Sequence, residues 1–155
     1  MRKLIAVVGI LIALTACSSI DCPLNNTVYT RYKLTGDITT LADTLTISAA
    51  ISAGNDSVLI NRDVNVDSFS LPISYQRDED IFFFQLNDTN GVSTIDTVTV
   101  AKTNTPHFEA IDCNPSVFHS IKEVRHTRNR IDKIEINHSE VTYDATKTHF
   151  YIYFK

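Results

Sequence analysis

The chain has no tryptophan, no methionine beyond the initiator, and only four glycines and four prolines in 155 residues. Without tryptophan, a carbohydrate face built on broad aromatic platforms has only tyrosine and phenylalanine to draw on. So few glycines and prolines exclude collagen-like and low-complexity chains. Basic residues are in deficit: 14 Lys and Arg face 18 Asp and Glu, for a formal charge of −4. A nucleic-acid binder would carry a basic footprint, so that class is set aside. There is no Gly-x-Ser-x-Gly elbow, no Ser-x-x-Lys with its companion motifs, no glycine-rich phosphate loop and no Cys-x-x-Cys. Nothing in the sequence calls for a cofactor.

What is present begins at the N-terminus. Met1-Arg2-Lys3 supplies two positive charges, and the apolar run Leu4 to Leu14 follows. That is the layout of a secretory signal peptide. As a helix the run would be about 16 Å long, against a hydrocarbon core of about 30 Å, so it cannot span. Leu14-Thr15-Ala16-Cys17 resembles the lipobox of bacterial lipoproteins. The resemblance implies acylation of the Cys17 thiol and removal of residues 1–16. Two or more acyl chains give stable anchoring, where one gives only marginal binding. Ser18, rather than Asp, after the lipidated position points to the outer membrane. The single acid in Ser18-Ser19-Ile20-Asp21 points to a periplasm-facing protein rather than one exported to the surface.

The mature chain of 139 residues, with formal charge −6 once Arg2 and Lys3 are lost, is of single-domain length. With Cys17 acylated, Cys22 and Cys113 remain as an even pair in an oxidising compartment. They are expected to form a disulfide. No metal site is expected from the cysteines.

Residues 17–27 read as anchor and tether, and residues 28–155 as one domain. From Val28 onward Thr, Ile, Val, Phe and Tyr dominate, in short period-2 runs separated by Asn, Asp and Gly. Strands are predicted near 28–35, 43–52, 58–61, 68–74, 81–86, 94–101, 107–112, 131–136 and 149–154. Residues 117–126 carry both a helix start signal, Asn114-Pro115-Ser116, and an acceptable strand pattern; a strand is favoured. Seven to nine short strands at this spacing predict an all-β fold, a single antiparallel β-sandwich of the immunoglobulin-like kind. The aromatic end Phe150-Tyr151-Ile152-Tyr153-Phe154 predicts a strand with a neighbour on either side.

Candidate chemistry is thin. The histidines 107, 119, 126, 138 and 149 show no compact ligand spacing, and a zinc site joining His119, His126 and His149 would need distant strands to converge. No metal is expected. Lys122, Arg125, Arg128, Arg130 and Lys133 form a local basic excess, which reads either as a patch for an anionic partner or as charges that guard an exposed strand. Asp43-Thr44-Leu45, Asp56-Ser57-Val58 and Asp96-Thr97-Val98 each resemble the O-glycosylation motif of exported Bacteroidota proteins, which implies candidate acceptors at Thr44, Ser57 and Thr97. The strings Asp43-Thr44-Leu45-Thr46-Ile47 and Asp96-Thr97-Val98-Thr99-Val100 also repeat one another.

Taken together, the lipobox, the second cysteine soon after it, the Asp43–Ile47 strand and the late stretch Thr127-Arg128-Asn129-Arg130-Ile131-Asp132 give the chain its family resemblance. It resembles the small uncharacterised Bacteroidota lipoproteins that share one domain of unknown function. The expectation is a non-enzymatic, envelope-anchored binding or scaffolding module whose partners are the membrane, through the anchor, and an envelope protein or glycan. The alternative is a hydrolase or a metal- or ligand-binding protein with an unrecognised site.

Overall fold

The computed structural model describes Cys22, residues 27–52 and residues 54–155. The signal-peptide and lipidation readings fall on residues 1–17, outside the described residues. Ten strands follow: β1 (Tyr29–Leu34), β2 (Thr44–Ser52), β3 (Asn55–Asp63), β4 (Ser68–Pro72), β5 (Glu79–Asn87), β6 (Ser93–His107), β7 (Ser116–His126), β8 (Ile131–Ile136), β9 (Glu140–Val141) and β10 (Phe150–Phe154). They form a four-stranded sheet, β4-β1-β10-β8, and a six-stranded sheet, β3-β2-β5-β6-β7-β9. The fold is therefore an all-β sandwich, as the pattern of short strands predicts. The ladders are antiparallel apart from one pair, since β1 runs parallel to β10.

Period 2 explains how the two sheets meet. Leu45 and Ile47 of β2, Phe82, Phe84 and Leu86 of β5, and Val98 and Val100 of β6 turn one face of the larger sheet inward, and all are buried. The smaller sheet answers with Tyr32, Phe69, Leu71, Ile134, Phe150, Ile152 and Phe154. At the centre the Tyr32 ring is stacked between Phe150 and Phe69, with centroids 4.6 Å and 5.0 Å away, and Phe84 meets it edge-on at 6.1 Å. The aromatic β10 lies between β1 and β8, as its two-sided pattern predicts. Gly36, just after β1, has φ of +94°, and a Cβ there would come within 2.9 Å of Tyr153. Only glycine suits both the turn and the ring that covers it.

Two expectations need correction, both at one end of β6. Residues 107–112 are not a strand: β6 runs on to His107, and the chain then turns through a loop in which the Cys113 amide donates to the Ala110 carbonyl. Phe108 and Ala110 alternate with His107 and Glu109 and imitate a strand, but Phe108 and the neighbouring Ile111 face solvent. The strand expected to stop at Ala101 continues because Lys102, which points inward, finds a partner. Its ammonium lies 2.9 Å from the buried carboxylate of Asp80 on β5. Beyond Lys102, whose amide donates to the Asp78 carbonyl at 2.8 Å, the edge of β6 facing β5 has no ladder partner among the described residues, so Pro106 removes no sheet bond there. Residues 116–126 form a strand, not a helix.

The passage from β7 to β8, which crosses from the larger sheet to the smaller, is organised by one carboxylate. Asp96 on β6 is fully buried. Its Oδ1 accepts from the Thr127 hydroxyl at 2.6 Å and the Asn129 amide at 2.8 Å. Its Oδ2 accepts from the Arg130 amide at 2.7 Å and the Ile131 amide at 2.9 Å. Burial by itself would raise the Asp96 pKa, but the Thr127 hydroxyl and the three amides together outweigh it and hold it below the ordinary value. Arg130, placed by this loop, reaches across to the Asp43 carboxylate just ahead of β2.

The Asp96 carboxylate is expected to contribute stability that is complete above the unfolded pKa of about 3.9 and fades as pH falls through the lower folded value. Asp96→Asn presents an NH2 group to amides that need an acceptor. It should destabilise the fold by roughly 2–4 kcal/mol at neutral pH. In urea unfolding from about pH 7 down to about pH 2.5 the variant should also lose less stability than the parent, because the titrating group is gone. Equal acid sensitivity in the two proteins would contradict the assignment.

Cys22 and Cys113 are joined in a disulfide that closes 91 residues of chain, with Cα atoms 5.4 Å apart. On the chain-entropy model a loop of that length is worth about 4–5 kcal/mol. Mass spectrometry after alkylation without reductant should find both thiols blocked and linked. Reduction should lower the urea midpoint sharply, and an unchanged midpoint would show that the bridge does not constrain the domain.

Candidate functional site

The sandwich has two unlike ends. At the near end lie the start of β1, residues 72–79, the connection after Ser52 and the 108–115 loop, which is tied to Cys22. At the far end lie the β1–β2 connection, the β3–β4 turn, the β5–β6 hairpin and the 127–131 crossover.

The far end opens into a trough on the outer face of the six-stranded sheet. It has a volume of about 610 Å³ and is lined by Thr44, Thr46, Asn61, Arg62, Gln85 and Asn87, with the hairpin residues Asp88, Thr89 and Gly91 at its rim. Thr44↔Asn87 and Thr46↔Gln85 are cross-strand neighbours, so alternate residues of β2 and β5 deliver hydroxyls and amides to one face. A second depression of about 330 Å³ shares Thr46 and Gln85 and adds Ser48, Asp56, Phe83 and Ile95. This part of the groove adds the apolar side chains Phe83 and Ile95 beside Ser48 and the Asp56 carboxylate.

Its wall is shaped by a bulge. Leu45 faces Asp63 and Ile47 faces Ile60, so Asn61 and Arg62 together stand opposite Thr46. Arg62 has φ of +56°, a left-handed conformation that favours glycine, and its amide donates to the Thr46 hydroxyl at 3.2 Å. The strain projects a guanidinium at the rim of a groove whose floor is made of neutral hydroxyls and amides, with the Asp88 carboxylate also at the rim. Gln85 is held by its own amide, which donates to Ser93 Oγ at 2.9 Å. Asp88 is occupied with its turn, accepting from the Val92 amide at 2.8 Å and the Asn90 amide at 2.9 Å. These bonds, Val92's foremost, hold its carboxyl below the ordinary value.

The near end has a different chemistry. A cavity of about 260 Å³, lined mainly by Val28, Ile73, Tyr75, Pro115 and Val117, has His119 in its wall. The His119 Nδ1–H donates to Asn104 Oδ1 at 2.7 Å, while the Asn104 amide donates to the Arg77 carbonyl at 3.0 Å. Burial and the nearby Lys102 push the His119 pKa down to about 4, so at neutral pH it is an uncharged ring. Lys102 also donates to the Arg77 carbonyl, and Asp80 accepts from Arg77 at 3.2 Å and from the Ser74 amide at 3.0 Å. These groups bond to one another rather than into the cavity, which suits an end wall of the sandwich. Among the described residues no serine or cysteine lines the cavity.

The residues singled out in the sequence are dispersed. Among the described residues no group of three or more His, Cys, Asp or Glu converges on a metal-sized site. His119 is committed to Asn104, the His126 Nδ1–H donates to the Thr127 carbonyl, and His149 Nδ1 accepts from the Arg31 amide. Three of the five basic residues are paired with acids, and the five fall on both sheets and on the crossover between them. Arg125 on β7 is paired with Glu79 at 2.7 Å, Arg130 with Asp43, and Lys133, in the other sheet, with Glu135. Lys122 and Arg128 are exposed. Thr44, Ser57 and Thr97 are all half-buried on strands, and Thr44 lines the trough. In two of the three Asp-Ser/Thr strings the aspartate has a structural task, Asp43 with Arg130 and Asp96 with the crossover. The trough is the feature that sequence reasoning misses. Its polar alternation is visible along β2 and β5, but the bulge that turns Arg62 outward leaves no local signature.

Among the described residues no helix is long and apolar enough to cross a membrane. No curated protein and no solved structure matches the chain. One family model does, over residues 44–154, a span that takes in nine of the ten strands, the trough and the Asp96 crossover. The chain belongs to the family described as Family of unknown function (DUF6452).

Proposed function

We propose that this protein is an envelope lipoprotein, anchored through Cys17, whose sandwich binds a polyhydroxylated ligand such as an envelope glycan in the trough at its far end. The observation that carries the proposal is Arg62. A non-glycine residue held left-handed in a bulge is locally unfavourable, and here it sets a cation beside the hydroxyls of Thr44 and Thr46 and the amides of Asn61, Gln85 and Asn87. Such groups pair with sugar hydroxyls, and Phe83 and Ile95 offer an apolar surface for the C–H face of a ring. The groove makes up for the absent tryptophan with hydrogen-bonding groups. The anchor reading is supported by the short apolar run and by Leu14-Thr15-Ala16-Cys17.

Lipidation is checked directly. Cys17→Ser should abolish metabolic labelling with a fatty-acid analogue and release the protein from membranes. Labelling that persists in the variant would sink the anchor.

Binding is checked by a trade-off at one residue. Arg62→Gly removes the left-handed strain and should raise stability by about 1 kcal/mol. The same change should weaken retention on immobilised polysaccharide from the host envelope by roughly tenfold or more, corresponding to about 1.4 kcal/mol. Gln85→Ala should weaken retention while leaving the fold intact. Retention unchanged in both variants would exclude the trough as the binding site.

A further inference from the structure

We infer that the near end of the sandwich docks on the lipid surface itself, with Phe108 and Ile111 dipping into the headgroup region. The inference rests on the anchoring proposed for Cys17 and adds a second, non-covalent contact to it. Among the described residues Ile111, Tyr75 and Phe108 are the three most exposed large apolar side chains, at 101 %, 65 % and 64 %. All three lie at the same end. Phe108 and Ile111 are in the loop that carries Cys113, and Tyr75 shares a cavity wall with Pro115 just beyond that loop. Ile51, also exposed, shares a second depression with Tyr75. The far end also exposes Val64 and Val92, but the near end carries the larger side chains, and apolar side chains gathered in this way mark a contact surface.

The chain itself says what covers this surface. Cys22 follows Cys17 by five residues, a reach of at most about 18 Å. The disulfide then puts the Cys113 Cα only 5.4 Å from that of Cys22, with Ile111 two residues further on. The loop is therefore kept within reach of the acylated residue wherever the rest of the domain swings. Behind it, Phe118 lies between the His107 ring at 4.2 Å and the Tyr143 ring at 5.1 Å, an aromatic group of the kind that sits at a headgroup boundary. The loop's two acids, Glu109 and Asp112, select neutral or zwitterionic headgroups over anionic ones. The contact is therefore apolar in origin and does not depend on low salt.

The absence of tryptophan gives a clean test, because a single introduced indole is the only one in the protein. The full lipidated chain carrying Ile111→Trp is reconstituted into phosphatidylcholine vesicles. Val64→Trp, at an exposed site in the far-end turn after β3, serves as the control. In the Ile111→Trp protein the indole emission should move to shorter wavelength on reconstitution, and brominated acyl chains should quench it, at low and high salt alike. The Val64→Trp protein should show neither effect, and Phe108→Trp should repeat the result of Ile111→Trp. If the protein partitions into vesicles through Cys17 while the indoles at positions 108 and 111 still emit as in water, the docking is wrong and the anchor stands. If the emission of the Ile111→Trp protein shifts only on addition of another envelope protein, the surface belongs to a protein partner and the lipid assignment is overturned. A chain that never partitions overturns anchor and docking together.

Discussion

The buried carboxylate of Asp96 holds the far end of this molecule in place. A single side chain on β6 accepts four hydrogen bonds from residues 127–131, where the chain leaves one sheet for the other. Without those acceptors, three backbone amides at the end of a sandwich would lack partners, at a cost of about 1–3 kcal/mol each if they stayed buried. With them, the crossover is fixed closely enough that Ile131 starts β8 with its side chain in the core and Arg130 reaches Asp43. Asp43 immediately precedes β2, the strand that brings Thr44 and Thr46 to the trough. One carboxylate thereby joins three parts of the chain, and the groove is built against the end that it stiffens.

The other end is held by a different kind of bond and keeps a different surface. Asp80 and Lys102 form a buried ion pair whose remaining valences go to the Ser74 amide, Arg77 and the Arg77 carbonyl. A buried pair is weak evidence of net stability, but removing one member leaves a charge in low dielectric, so the geometry it enforces is hard to vary. That geometry lets β6 run past its last partner on β5 and launch the 108–115 loop clear of the sandwich. The disulfide then ties the loop to Cys22, just ahead of the domain. Polar bonding inside this end leaves apolar side chains free to face outward.

Much of this was legible in the sequence, for reasons that can be named. Period-2 patterning in Leu45–Ile47, Phe82–Leu86 and Val98–Val100 reports which face is buried, because a one-residue slip would invert it. The two-sided aromatic run at 150–154 reports an interior strand for the same reason. The aspartates that open the strings Asp43–Ile47 and Asp96–Val100 both contact the 127–131 crossover, Asp43 through the Arg130 side chain and Asp96 through the Thr127 hydroxyl and three amides. What the sequence hid were long-range compensations. Lys102 reads as a strand end until Asp80 is known to lie beside it. Phe108 and Ile111 read as part of a strand until the sheet is seen to end at His107, which leaves both side chains in solvent. Arg62 reads as an ordinary surface residue, because the left-handed bulge arises from how β3 registers against β2 and not from its own neighbours in sequence.

The placing of the two ends bears on what the proposed trough can receive. Nine-residue strands such as β2 and β5 extend about 30 Å at roughly 3.3 Å per residue, and they run between the near end and the far end. If the near end rests on lipid, the trough stands about that distance above it, well beyond a Debye length of about 8 Å at physiological salt. Lipid headgroups are then out of reach, and electrostatic attraction to them cannot bring a ligand to Arg62. A ligand at that height must project from the membrane or from the opposing wall, as a polymer does and a free headgroup does not. A short lipid-borne sugar would instead require the sandwich to lie on its side. That posture would lift Phe108 and Ile111 out of the headgroups, so docking at the near end and capture of a membrane-bound monosaccharide at the far end exclude one another.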